Sequence, residues 1–171
     1  MKNNYKLKKN EKKEQAVEFC AGNLTNLTQK ENKKIFAVST STKNKNIKEN
    51  VIESLSKTLS EDGKKVLIIK IGVNGEQFCE QKDTLYPIIN RENIHPSELL
   101  ELLSVEKDEY DIIFVDIPPV ILFAKAVEYA KHCDCVLLVE KYLYSKYMDF
   151  EKTLSVLNGQ DVLVSGIITY K

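Results

Sequence analysis

Tyr110-Asp111-Ile112-Ile113-Phe114-Val115-Asp116-Ile117-Pro118-Pro119-Val120 is the stretch on which the fold turns. Ile112 to Val115 are β-branched or aromatic without a polar alternation, which predicts a strand ending at Asp116. A strand with no polar face is covered on both sides, the situation of a parallel sheet between helix layers. Pro118 and Pro119 end the run, because proline cannot donate to a central ladder. Asp116 is thereby left as a carboxylate at the carboxyl end of a buried strand.

Outward from this strand the same texture recurs. Ile35-Phe36-Ala37-Val38-Ser39 and Lys65-Val66-Leu67-Ile68-Ile69 are short apolar runs of strand type, as are Cys135–Val139 and the final Val162–Thr169. Leu85 to Ile89 is a further candidate. Between them, Ile47, Val51, Ile52, Leu55 and Leu59 recur at helical spacing, and Gly63 closes that helix. Pro96-Ser97-Glu98 opens a helix through Leu103, with Ser97 or a neighbour as its cap. Further helices are predicted over about 122–131 and 145–157, and a polar one from about Gln15 to Leu27. Strands alternating with helices imply right-handed β-α-β crossovers. The fold class expected is α/β: a three-layer, doubly wound, mostly parallel sheet with helices on both faces, in a single domain over 15–171.

Composition narrows the function classes. The 171 residues carry 25 Lys plus Arg against 25 Asp plus Glu, so no global field favours nucleic acid. Arg91 is the only arginine, which removes the residue best suited to bidentate phosphate clamping. Cys20, Cys79, Cys133 and Cys135 lack the spacing of a disulfide scaffold, no signal peptide precedes them, and the apolar runs are strand-length. The expectation is a cytoplasmic protein. Residues 1–14, with six lysines in the first 13 and Glu11 the one acid among those 13, read as a mobile basic tail. Such a tail serves for solubility or for contact with an anionic membrane face. His132, Cys133 and Cys135 invite a zinc reading, but the two cysteines, expected on one strand face, have no second ligand pair, so no metal site is assigned. Tyr142, Tyr144 and Tyr147 fall at a strand-to-helix junction and read as packing or interface residues.

Several motifs, in order, resemble the deviant-Walker P-loop ATPases, specifically the bacterial tyrosine kinases of capsule and exopolysaccharide synthesis (CpsD/CapB type). Tyr110–Val120 is similar to that family's YDxxxxDxPPV Walker B strand, and His95-Pro96-Ser97-Glu98-Leu99-Leu100 to its NPSELL segment. Asp134–Val139 and Val164–Ile168 occupy the places of its DxVLLV and GxVLN strands. Val38-Ser39-Thr40-Ser41 stands where it has VTSS, and Glu18 with Thr25-Asn26-Leu27 where it has an E-x-x-R-x-x-R-T-N helix. The resemblance covers about residue 15 to the C-terminus.

The departures from the family concentrate in its phosphate-and-metal machinery. A phosphate loop needs glycines so that amides can approach the phosphates, a lysine, and a hydroxyl on Mg²⁺. Lys45-Asn46-Ile47-Lys48-Glu49-Asn50 lies over the family's GEGKST: Lys48 is retained, both glycines are replaced, and the carboxylate Glu49 stands at the hydroxyl position. Thr42, Lys48 and Glu49 are the candidate vestigial nucleotide positions, and Asp116 the vestigial Walker B aspartate. Where the family has D-x-D-x-R, this chain has Lys70-Ile71-Gly72-Val73-Asn74, so a cation replaces the first carboxylate. Lys70 is expected to stand in for the metal's charge, paired with Asp116, Glu49 or both. The family's helix arginines correspond to Ala21 and Leu24.

The expectation is therefore a non-catalytic pseudo-ATPase or pseudokinase, a binding or regulatory module with no cofactor. The resemblance implies a membrane polysaccharide copolymerase (the kinase activator) or an active kinase homologue as partner, and a location at the inner membrane face, reached through the partner or the basic N-terminus. Two alternatives stand beside it. One is a divergent autokinase or ATPase using ATP and Mg²⁺ through Lys48 and Asp116. The other is a relative of the cell-division or partitioning ATPases that lost its nucleotide site.

Overall fold

The computed structural model describes residues 2–42, 45–73 and 84–170. Elements follow in the order α1 (Lys2–Glu31), β1 (Ile35–Ser39), α2 (Lys45–Glu61), β2 (Val66–Gly72), β3 (Ile88–Glu92), α3 (Pro96–Glu106), β4 (Ile112–Asp116), α4 (Ala124–Lys131), β5 (Cys135–Lys141), α5 (Tyr147–Asn158) and β6 (Val164–Tyr170). The six strands form one sheet in the order β3-β2-β4-β1-β5-β6, and every pairing is parallel. This is the three-layer α/β architecture expected of a P-loop ATPase.

Burial follows from position in the sheet. Every residue of β1, β2 and β4 is buried, whereas the edge strands β3 and β6 are half-buried or exposed. That is why the central strands read as unbroken apolar runs and the edges do not. Alternate residues feed two cores. Phe36, Val38, Ile68, Phe114 and Leu137 pack under α1 and α2 with Ala21, Leu24, Ile52, Leu55 and Leu59. Ala37, Leu67, Ile69, Val115 and Leu138 face Leu99 and Leu103 of α3, Ala126, Val127 and Ala130 of α4, and Leu157 of α5. Ala21 and Leu24, standing where the family has arginines, are fully buried contacts here.

Several boundaries differ from expectation. The polar helix runs from Lys2 rather than Gln15, because residues 2–21 contain neither glycine nor proline and are rich in lysine and glutamate, which propagate a helix once one face is docked. The boundary expected at residue 14 is therefore not a change of secondary structure. The third strand begins at Ile88 rather than Leu85, which is exposed. The cap of α3, expected at Ser97 or a neighbour, is the neighbour His95: its ring accepts from the Ser97 amide, and the Glu98 carboxylate accepts from the His95 amide at 3.1 Å. Gly63 does close α2, at φ 79°, with the Lys64 amide donating to the Leu59 carbonyl. Cys133 and Cys135 do not share a face. Cys133 lies in the turn before β5 and packs into one core while Cys135 packs into the other, since two-residue alternation holds only inside a strand.

At the amino ends of the strands, two aspartates tie neighbouring segments together. Asp134 Oδ2 accepts from the amides of Lys34 and Ile35 at 2.7 and 2.8 Å, and Asp111 Oδ2 from the Lys65 amide at 2.9 Å. Both aspartates belong to motifs quoted above, and here their work is to seat the strand starts.

Candidate functional site

In open α/β sheets the ligand crevice lies at the carboxyl ends of the strands. Here that rim is formed by Ser39–Thr42 after β1, Lys70 at the end of β2, Asp116 at the end of β4, Glu140 near the end of β5, and the first turns of α2. Lys70 and Asp116 are cross-strand partners in register, and both point toward α2, the side of Ile68 and Phe114.

The central contact is Lys48 with Asp116. Lys48 sits one turn into α2 and is only 3% exposed. Its ammonium pairs with Asp116 Oδ1 and donates to the Ile117 carbonyl at 2.5 Å. It lies on a helix and out of water. An ammonium is stable in such a place only with a carboxylate and further acceptors at hand, because its hydration has been lost. Asp116 is equally enclosed.

Lys70 does not take the partner expected for it. Its Nζ lies 3.5 Å from Glu53 Oε1, on α2 one turn beyond Glu49. The reason is geometric. The Asp116 carboxylate is already taken by Lys48 descending from the helix, and Glu53 is the acid on α2 that reaches Lys70. Thr42 forms a local turn in which its amide donates to Thr40 Oγ1 at 3.3 Å. Glu49 is half-buried on α2. Asn74, the last of the replaced acidic motif, lies outside the described residues, as do the side chains of Lys45, Asn46 and Ile47.

One residue of this rim escaped the sequence reading. Glu140 is buried and accepts three hydrogen bonds: from the Ser41 amide at 2.7 Å, Ser41 Oγ at 2.6 Å and Ser145 Oγ at 2.5 Å. It clamps the segment after β1 to the β5–α5 connection. The signal was present, a lone acid closing the run Val136-Leu137-Leu138-Val139. The rim thus carries two lysines, each bound to a carboxylate, and a third carboxylate bound by an amide and two hydroxyls.

Other chemistry-bearing residues have plain roles. Tyr129 donates its hydroxyl to the Ile94 carbonyl at 2.6 Å, and burial holds that phenol above its ordinary range. Burial likewise raises the Cys133 and Cys135 thiols, so neither is a reactive thiolate. His132 caps the end of α4. Among the described residues no three of His, Cys, Asp and Glu cluster so as to hold a metal ion, and no helix is long and apolar enough to cross a membrane.

No family model matches the chain. Among curated proteins, the tyrosine-protein kinase wzc of Salmonella typhimurium is 29% identical over 80 residues, and the putative tyrosine-protein kinase EpsB of Ralstonia solanacearum 32% over 80. Each alignment covers 43% of this chain and 11% of the relative, so the match spans about a tenth of those proteins' length. Among solved structures, the BceF tyrosine kinase domain superposes with a TM-score of 0.73 at 16% identity, over 90% of this chain and 75% of that one. The VpsO kinase domain gives 0.70 at 18%, over 95% and 98%. The MinC:MinD cell division protein complex of Aquifex aeolicus gives 0.66 at 16%, over 80% and 68%, a likeness of fold. The Walker B strand with its double proline lies in a chain similar over part of its length to bacterial tyrosine kinases, and the all-parallel sheet has the fold of the P-loop ATPases.

Proposed function

We propose that this chain is a non-catalytic member of the bacterial tyrosine kinase family, a binding or regulatory module whose phosphate-site residues now hold the fold together. The observation that carries the reading is the buried pair of Lys48 with Asp116. Phosphoryl transfer depends on a cation free to meet the β- and γ-phosphates, an acid free for the metal, and amides open to the ligand. Here the cation and the acid neutralise each other out of water. Seating Mg-ATP would mean opening that pair, and the replacements at Glu49 and Lys70 offer a carboxylate where a hydroxyl ligand is needed and an ammonium where an acid is needed. The residues of the rim do not fit a metal-bound triphosphate. The partner this reading implies, by the family resemblance, is a membrane polysaccharide copolymerase or an active kinase at the inner membrane face.

A second reading is favoured by the same two residues. Lys48 and Asp116 have been kept and brought together at the strand ends, as a site waiting for nucleotide would require. Thermal unfolding with Mg-ATP decides between them. A ligand that binds the folded chain stabilises it by about 2.7 kcal/mol at a hundredfold excess over its dissociation constant. No saturable rise in Tm at millimolar Mg-ATP is the expected result. A saturable rise abolished in Lys48→Met would establish the second reading and end the first. The cell-division alternative has only likeness of fold behind it.

A further inference from the structure

Exposed apolar side chains are concentrated at one place. Five of the thirteen exposed large hydrophobic residues among those described fall within seven positions of the β5–α5 connection: Tyr142, Leu143, Tyr144, Tyr147 and Met148. Leu143 is 90% exposed and sits at φ 62°, so a branched apolar residue is held outward in a conformation that disfavours it. Lys141 and Lys146 belong to the same stretch, the Lys141 ammonium lying 5.1 Å over the Tyr144 ring. No acid occurs between 141 and 148; Glu140, just before Lys141, is buried and bound to Ser41 and Ser145, and Asp149 and Glu151 follow in the first turns of α5.

This connection adjoins the other unusual segment of the chain. The Tyr142 amide donates to the Tyr170 carbonyl at 2.7 Å, and the Lys13 ammonium of α1 stands 5.9 Å from the Tyr170 ring. Since α1 ends at Glu31 beside the amino end of β1, it runs against the strands, and its lysine-rich start lies at their carboxyl end. Beyond Lys13, residues 2–12 continue the helix for roughly 16 Å at 1.5 Å per residue. Lys12 and Lys13 of α1 and the apolar, lysine-flanked connection therefore share one end of the molecule, though they are far apart in sequence.

We propose that this end is a docking surface for an anionic lipid bilayer, with Leu143 and Met148 entering the headgroup boundary, the tyrosines at the interface and the lysines on the phosphates. Tyrosine is favoured at that depth, where its ring is in an apolar layer and its hydroxyl is wet. Basic residues beside anionic lipid add to this attraction, and an apolar insertion with a polybasic segment supplies the two signals that stable peripheral binding requires. A bilayer is preferred to a protein partner because the apolar residues project outward beside exposed lysines rather than lining a pocket.

The test is flotation of the full chain with vesicles of phosphatidylcholine containing roughly one-third phosphatidylglycerol, against vesicles of phosphatidylcholine alone. The chain should float with the anionic vesicles, release as salt rises from about 0.1 to about 0.5 M, and stay down with the neutral ones. Leu143→Glu and, separately, Met148→Glu should each weaken partitioning roughly tenfold or more, and Lys12→Gln and Lys13→Gln roughly fivefold apiece. All four side chains are exposed, so Tm should be unchanged. Absence of flotation with anionic vesicles, equal flotation with neutral ones, or wild-type partitioning by Leu143→Glu and Met148→Glu would each overturn the proposal, and would leave the reading of the nucleotide site untouched.

Discussion

The two ends of the parallel sheet use carboxylates in opposite ways. At the amino ends, Asp111 and Asp134 accept backbone amides at the strand starts, in places that water also reaches. At the carboxyl ends, Asp116 and Glu140 are buried and bind a lysine ammonium and serine hydroxyls, out of water. The difference teaches which acids are replaceable. A carboxylate at a wet edge adds modestly to stability, since water takes its place when it is removed. One that satisfies an enclosed cation cannot be removed without stranding that cation.

The contrast breaks first, if anywhere, at Lys48 and Asp116. Asp116→Ala should destabilise by about 3–5 kcal/mol, because it leaves a buried ammonium unpaired. The double change Lys48→Met with Asp116→Leu should recover most of that loss, as buried pairs replaced by apolar residues often do. Urea unfolding of the two singles and the double measures the coupling; additive losses would mean that the two groups do not form a buried pair in solution. Glu140→Gln comes next. It keeps the shape but turns amide hydrogens toward the Ser41 amide or a hydroxyl, at a cost of about 1–3 kcal/mol. That change should also speed proteolysis after β1, where the clamp holds Ser41. Smallest is Asp134→Ala, expected to lower stability by about 1 kcal/mol, visible as a small shift of the urea midpoint with unchanged slope. A loss at Asp134 as large as that at Asp116 would erase the distinction between the two ends.

Much of the site's location was legible in advance. The double proline after Asp116, the apolar run before Lys70 and the helical period from Ile47 placed three strand and helix ends at one rim. Which charges met there was not legible. Lys70 is the residue that sequence pairs most readily with Asp116, and the strands do set them side by side, yet Lys48 takes the carboxylate and Lys70 turns to Glu53. Glu140 was passed over because a buried acid and a surface acid look alike in a string of letters.

By itself, then, the order of residues determined the layers of this protein: which segments are strands, which are helices, and which helix faces are apolar. Burial on two sides, one side or none is written into local composition, because each side chain's transfer out of water is largely its own property. Tertiary structure alone decided the ion pairs, the two cores that separate Cys133 from Cys135, and the approach of Lys13 to Tyr170 beside the β5–α5 connection. Those depend on distances of a few ångströms between elements dozens of residues apart, and electrostatic attraction in a dry interior is settled by such distances rather than by the charges a chain happens to carry.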